Sequence, residues 1–185
     1  MTRKLVVFFL CMVFISSCNE SLPRRPIQNK SGSFYKESIE RSRRILSLEE
    51  KRIKLIIEED TVHDYLESAN GFWYFYENHA DSMIPQASTD DEVILKYNIM
   101  ELDGDTIYRS DVLGMQQIKV DKTQLFPGLR NAIKLLKEGE KATFFFPSSQ
   151  AFGYKGDNNK IGANVPVRSS LELLKILKPI DSLTR

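Results

Sequence analysis

The sequence predicts an α+β domain, with an antiparallel sheet wrapped around one central helix and a further helix ahead of it. Two patterns predict it. Apolar residues alternate with a period of two through Val93, Leu95, Tyr97 and Ile99, the spacing that turns one face of a strand toward a core. Leu129, Ala132, Ile133 and Leu136 recur instead at i, i+3, i+4 and i+7, which is one apolar face of a helix. Strand-like runs flank that helix on both sides, and such an order packs most simply as a helix on one sheet.

The chain has 185 residues, enough for one domain of ordinary size with some chain to spare. Arg3 and Lys4 precede an apolar run over residues 5–15, followed by Ser16, Ser17 and Cys18. A charged start, an apolar stretch and small residues read as a secretory signal over residues 1–17. As a helix the apolar run covers roughly 16 Å, too short for a bilayer core of about 30 Å. The Ser-Ser-Cys ending resembles a bacterial lipobox, where cleavage before the cysteine accompanies its lipidation, here at Cys18. The cysteines are Cys11 and Cys18 alone, so the lipidated mature chain would carry no thiol. That excludes a thiolate nucleophile, a cysteine-ligated metal and a disulfide. A net charge of +1, with no basic cluster among aromatics, gives no nucleic-acid footprint.

Residues 18–33, rich in Pro, Ser, Asn and Arg, read as a lipid-anchored flexible tether. Residues 34–69 read as a helical segment. Ser47 and Glu50 have capping-box spacing, and Leu48, Arg52, Leu55 and Ile56 make a partly apolar stripe behind them. Such a helix could join two copies of the chain, pack on its own domain, or serve as a stalk. The domain proper is expected over residues 70–185. Asn70-Gly71 signals a turn before the aromatic strand GFWYFYEN, and Asp103-Gly104 a tight hairpin into residues 106–109. Residues 127–139 form the clearest helix, with Pro127 suited to its first position and Gly139 to the residue past its end. Residues 141–146 and 171–177 are the closing strands.

The stretch LFPGLRNAIKLLKEGEKATFFFPSSQAFGYKG, with LELLKI near the end and VILKYNIMELDGDTIY upstream, resembles the FKBP family of peptidyl-prolyl isomerases. The resemblance runs over about residues 70–178 and implies an FKBP-like fold. The lipobox, the Arg-Arg-Pro tether and GFWYFYEN are similar to the gliding-motility-associated isomerase lipoproteins of Bacteroidetes.

The resemblance implies a pocket built from seven residues. Tyr97 stands where the family has a wall tyrosine and Ile107 where it has a wall phenylalanine. Leu125 and Phe126 match the pair before the helix, with the Phe126 backbone N–H placed to bond a substrate carbonyl. Leu129 stands at the floor, Phe152 at the loop tyrosine, and Ile161 at an apolar residue of the late flap. The chain also departs from the pattern. Phe152 lacks the hydroxyl, Tyr108 replaces an acidic residue, Ser169 falls where a second wall aromatic is usual, and an aromatic is missing near Gln116.

The implied chemistry is isomerisation of X-Pro bonds without a nucleophile, metal or cofactor. Twisting a peptide bond costs about 18–20 kcal/mol because it breaks amide resonance. X-Pro bonds exchange slowly enough to limit folding. An apolar pocket favours the twisted bond by stripping water from the amide oxygen. Implied partners are proline-containing exported polypeptides, a membrane reached through the lipid on Cys18, and a second copy of the chain through the N-terminal helix. The expected location is the cell envelope, lipid-anchored to the inner or outer membrane and facing the periplasm. The alternative is a catalytically weak or inactive FKBP-fold chaperone or assembly module.

Overall fold

The structure, a computed structural model, describes residues 31–80 and 83–177. The expected signal segment, Cys18 and most of the tether lie outside the described residues. The chain divides into two units, Met1–Glu37 and Ser38–Arg185. Of the first, the description covers only the start of a helix, on which Phe34 and Tyr35 are exposed. Among the described residues no helix is long and apolar enough to cross a membrane.

The α+β expectation holds. After helix α1 (Ser31–Glu59) come β1 (Leu66–Ser68), β2 (Phe72–Asn78), β3 (Glu92–Tyr97), β4 (Ile99–Met100) and β5 (Thr106–Tyr108). Then follow the short α2 (Ser110–Leu113), β6 (Gln116–Lys119), α3 (Pro127–Ile133), β7 (Lys141–Phe146) and β8 (Val167–Leu177). The strands form one antiparallel sheet in the order β1-β2-β7-β8-β3-β6, with β4 paired to β8 and β5 paired to β4. β8 is the long central strand, starting four residues ahead of the expected 171.

Period-two geometry divides the aromatic strands between two cores. Successive side chains of a strand point to opposite faces. Ala142, Phe144 and Phe146 of β7 therefore join Leu129, Ala132, Ile133 and Leu136 in the main core. Phe145, between them, points the other way and meets Trp73, Phe75 and Ile53 in a second core. The register pairs Trp73 with Phe145 and Tyr74 with Phe144, so β2 obeys the same division. With α3 on one face and α1 on the other, β7 is buried on both sides, and a sequence as apolar as ATFFF is the result.

Three further boundaries shift. α1 begins before Ser47 and runs through it, so Ser47 caps nothing and lies mid-helix. The buried face is also different: Glu49 and Ile53 are buried and Ile56 is half-buried, whereas Leu48 and Leu55 are 63% and 48% exposed. The helix stops at Glu59 because Asp60 redirects the chain. Its carboxylate accepts from the N–H groups of Val62 and His63 at 2.9 and 3.3 Å and from the Tyr65 hydroxyl at 2.9 Å. Residues 66–68, expected within the helical segment, become β1. α3 is shorter than expected and ends at Ile133, though tight turns carry the apolar face on to Leu136, which is fully buried.

Candidate functional site

The end of β3, the start of α3 and the loop after β7 meet around an apolar cleft of about 450 Å³. β3 brings Tyr97, whose neighbour on the same face, Ile99, sits at the start of β4. The segment before α3 brings Gln124, Leu125 and Phe126, and the loop after β7 brings Ala151 and Phe152. Aromatic contacts fix the walls. The ring of Phe126 lies 5.0 Å from Phe152 and 5.4 Å, edge-on, from Phe146 in the main core beneath.

Four of the seven sequence-derived residues, Tyr97, Leu125, Phe126 and Phe152, thus line one cleft. The other three do not. Leu129 is fully buried in the main core on α3, and Ile161 is buried in the same core. Ile107 is half-buried against that core. Ile99, Gln124 and Ala151 were missed, although each lies within two residues of one that was found.

Polar groups in the cleft are few. Among the described residues the Phe126 N–H has no hydrogen-bond partner, because Phe126 caps α3 in an extended conformation (ψ 151°) and Pro127 follows it. The Tyr97 hydroxyl likewise finds no partner there, and burial pushes its pKa up.

The loop beyond Phe152 is stitched to β5. The Tyr108 hydroxyl donates to Asp157 Oδ2, and Lys160 Nζ lies 3.3 Å from the carbonyl oxygen of Ile107. Burial raises the Asp157 pKa, but the Tyr108 hydroxyl and the N–H groups of Ile161 and Asn159 outweigh it and hold the carboxyl below its usual range. Gly156 turns this loop at φ +66°, where a Cβ would sit 2.1 Å from the Ile161 carbonyl oxygen.

Comparison with known proteins agrees with this geometry. Residues 85–174 match the family of FKBP-type peptidyl-prolyl cis-trans isomerases. Those residues are an FKBP-type isomerase domain. A probable FKBP-type peptidyl-prolyl cis-trans isomerase, FkpA, of Neisseria meningitidis serogroup B is 34% identical over 94 residues. That alignment takes in 51% of this chain and 34% of the relative, so the chain spans about a third of the relative's length. Among solved structures, a peptidyl-prolyl cis-trans isomerase of Pseudomonas syringae pv. tomato superposes with a TM-score of 0.60 at 20% identity, over 74% of this chain and 96% of its own. FkpA of Escherichia coli gives 0.60 at 18% identity, over 94% of this chain and 81% of its own. At such identities these two likenesses concern the fold.

The FKBP domain's departures from its family pattern have structural counterparts. Ser169 is fully buried, and its hydroxyl donates to the Asn98 carbonyl at 2.6 Å. The Asn98 side chain in turn accepts from Ser170 N–H at 2.8 Å, which fastens the break between β3 and β4. Tyr108, which stands where the family pattern has an acidic residue, donates its hydroxyl to Asp157 of the opposite loop.

Proposed function

We propose that this chain is a peptidyl-prolyl cis-trans isomerase that assists the folding of exported proteins at a membrane surface, anchored through lipid on Cys18. The cleft carries this reading: an apolar hollow with an unpartnered N–H at Phe126 and an unpartnered hydroxyl at Tyr97. Proline and the apolar residue before it would lie against Leu125, Phe126 and Phe152. The Phe126 N–H would hold a flanking carbonyl while the twisting amide oxygen sits away from water. No cofactor enters this scheme. Its clients would be proline-containing polypeptides in the periplasm, and it makes no use of nucleic acid. A role within gliding or secretion machinery rests on the similarity of the N-terminal motifs. The exposed Phe34, Tyr35 and Ile39 on α1 support a homodimer formed through that helix.

One observation favours a second reading, a chaperone or assembly module of low activity. Phe152 brings no hydroxyl to the cleft, and Tyr97 is the one lining residue that does. The deciding experiment is isomerisation of a proline peptide series by the soluble protein beginning at Ser21. Catalysis well above background, strongest with apolar residues before proline and blocked by a macrolide FKBP ligand, is the expected result. A folded, monodisperse protein with no rate above background would establish the module instead.

A further inference from the structure

Glu49 is buried on α1, 7% exposed, and among the described residues no cation pairs with it. Its two carboxylate oxygens are spent elsewhere. One accepts the backbone N–H of Ser148 at 2.8 Å and the other the Ser148 hydroxyl at 2.7 Å, across 99 residues of sequence. Ser148 opens the 3₁₀ turn Ser148–Gln150, and the residue ahead of it is Pro147, which has no side-chain group to cap that turn. The first N–H groups of a helical turn need an acceptor, normally supplied by a Ser, Asp or Asn at the cap. Here the acceptor comes from another element. The turn hands the chain directly to Ala151 and Phe152, two walls of the cleft. Its remaining backbone bonds are local: the N–H groups of Gln150 and Ala151 reach the Pro147 carbonyl at 2.9 and 3.1 Å, and Ala151 N–H also reaches the Ser148 carbonyl at 3.0 Å.

We infer that Glu49 is a positioning residue for the isomerase cleft, fixing from the N-terminal helix the turn that places Ala151 and Phe152. The inference rests on the isomerase reading for its kinetic consequence and on geometry alone for its structural one. A buried carboxyl is costly unless hydrogen-bonded, and both hydrogen bonds recorded for Glu49 come from Ser148. Glu49 lies outside the family-matched residues 85–174, so the working cleft draws on a helix that the family segment does not include.

The test uses the full chain in detergent, comparing wild type with Glu49→Ala, Glu49→Gln and Ser148→Ala. Two quantities are measured: KM and kcat on a Leu-Pro peptide, and amide hydrogen exchange at Gln150 and Ala151 against Leu171 and Leu173 of β8. Glu49→Ala is expected to raise KM about fivefold, and to speed exchange at Gln150 and Ala151 by about tenfold while β8 stays within about twofold. Glu49→Gln, which keeps an acceptor oxygen, should stay within about twofold of wild type in both. Ser148→Ala, which keeps the N–H bond and loses the hydroxyl bond, should fall between them, and it serves as the decisive variant if Glu49→Ala does not fold. A folded Glu49→Ala or Ser148→Ala with wild-type KM and wild-type exchange at Gln150 and Ala151 overturns the inference. Absence of turnover in the wild type would overturn the isomerase reading, and the exchange comparison would still decide the role of Glu49.

Discussion

Phe152 and Asp157 stand five residues apart in one loop and carry different duties. Phe152 walls the cleft without offering a donor. Restoring a hydroxyl with Phe152→Tyr is expected to raise kcat/KM by up to about tenfold, the worth of one neutral hydrogen bond, measured on a Leu-Pro peptide. Asp157 fastens the loop through Tyr108 and the N–H of Ile161. Its pKa is lower in the folded state than in the unfolded one, so the folded protein binds fewer protons there. The stability it contributes is full above the ordinary carboxylate pKa of about 4 and disappears as pH falls through the depressed value. Asp157→Asn should therefore lower Tm at pH 7 and converge with wild type in acid, as a series of thermal melts would read. A constant gap down to the lowest pH would contradict the assignment. At this scale the site was partly legible. Tyr97, Leu125, Phe126 and Phe152 came from a shared sequence frame, but Leu129 and Ile161 are equally apolar and sank into the core. Apolarity cannot tell a cleft wall from the layer beneath it.

α1 and α3 each have one dry face, and packing decided which. Ile53 of α1 is fully buried against Trp73, Phe75 and Phe145. Ile53→Ala should cost about 2–5 kcal/mol, visible as a lower urea midpoint with an unchanged slope. Leu55→Ala on the exposed side should change stability by about 0.5 kcal/mol or less in the same titration. On α3, Gly128 allows close approach: a Cβ there would lie 2.4 Å from the Phe146 ring and 2.7 Å from the Gln150 carbonyl oxygen. Gly128→Ala is expected to lower Tm and to weaken peptide binding together, because Gln150 precedes the cleft walls. Loss of stability with unchanged KM would show that the strain is absorbed within the core. The apolar face of α3 could be read from spacing alone. The face of α1 could not, because its stripe is interrupted by Glu49, a charged residue that the loop after β7 brings into use.

Across the whole molecule, the outer face of β2 and β7 is covered by a helix lying ahead of the family-matched segment. Removing residues 31–60 should expose Trp73, Phe75 and Phe145 and give a protein that aggregates or binds a hydrophobic dye. A well-behaved monomer of unchanged Tm would refute this. The proposed lipid anchor has its own test: if it is right, Cys18→Ser abolishes incorporation of radiolabelled palmitate, and palmitate uptake by the variant contradicts it. The order of strands about one helix, the period-two face of β3 and the family motif are all local in sequence. Periods of 2.0 and 3.6 and short turn signals express them without reference to the rest of the chain. The reach of Glu49 to Ser148, the pairing of Tyr108 with Asp157 and the burial of Leu129 beneath the cleft join residues remote from one another or set depth within the core. Such relations exist only after the sheet has closed, because side-chain hydrogen bonds and burial depth depend on which surfaces meet rather than on what each surface is.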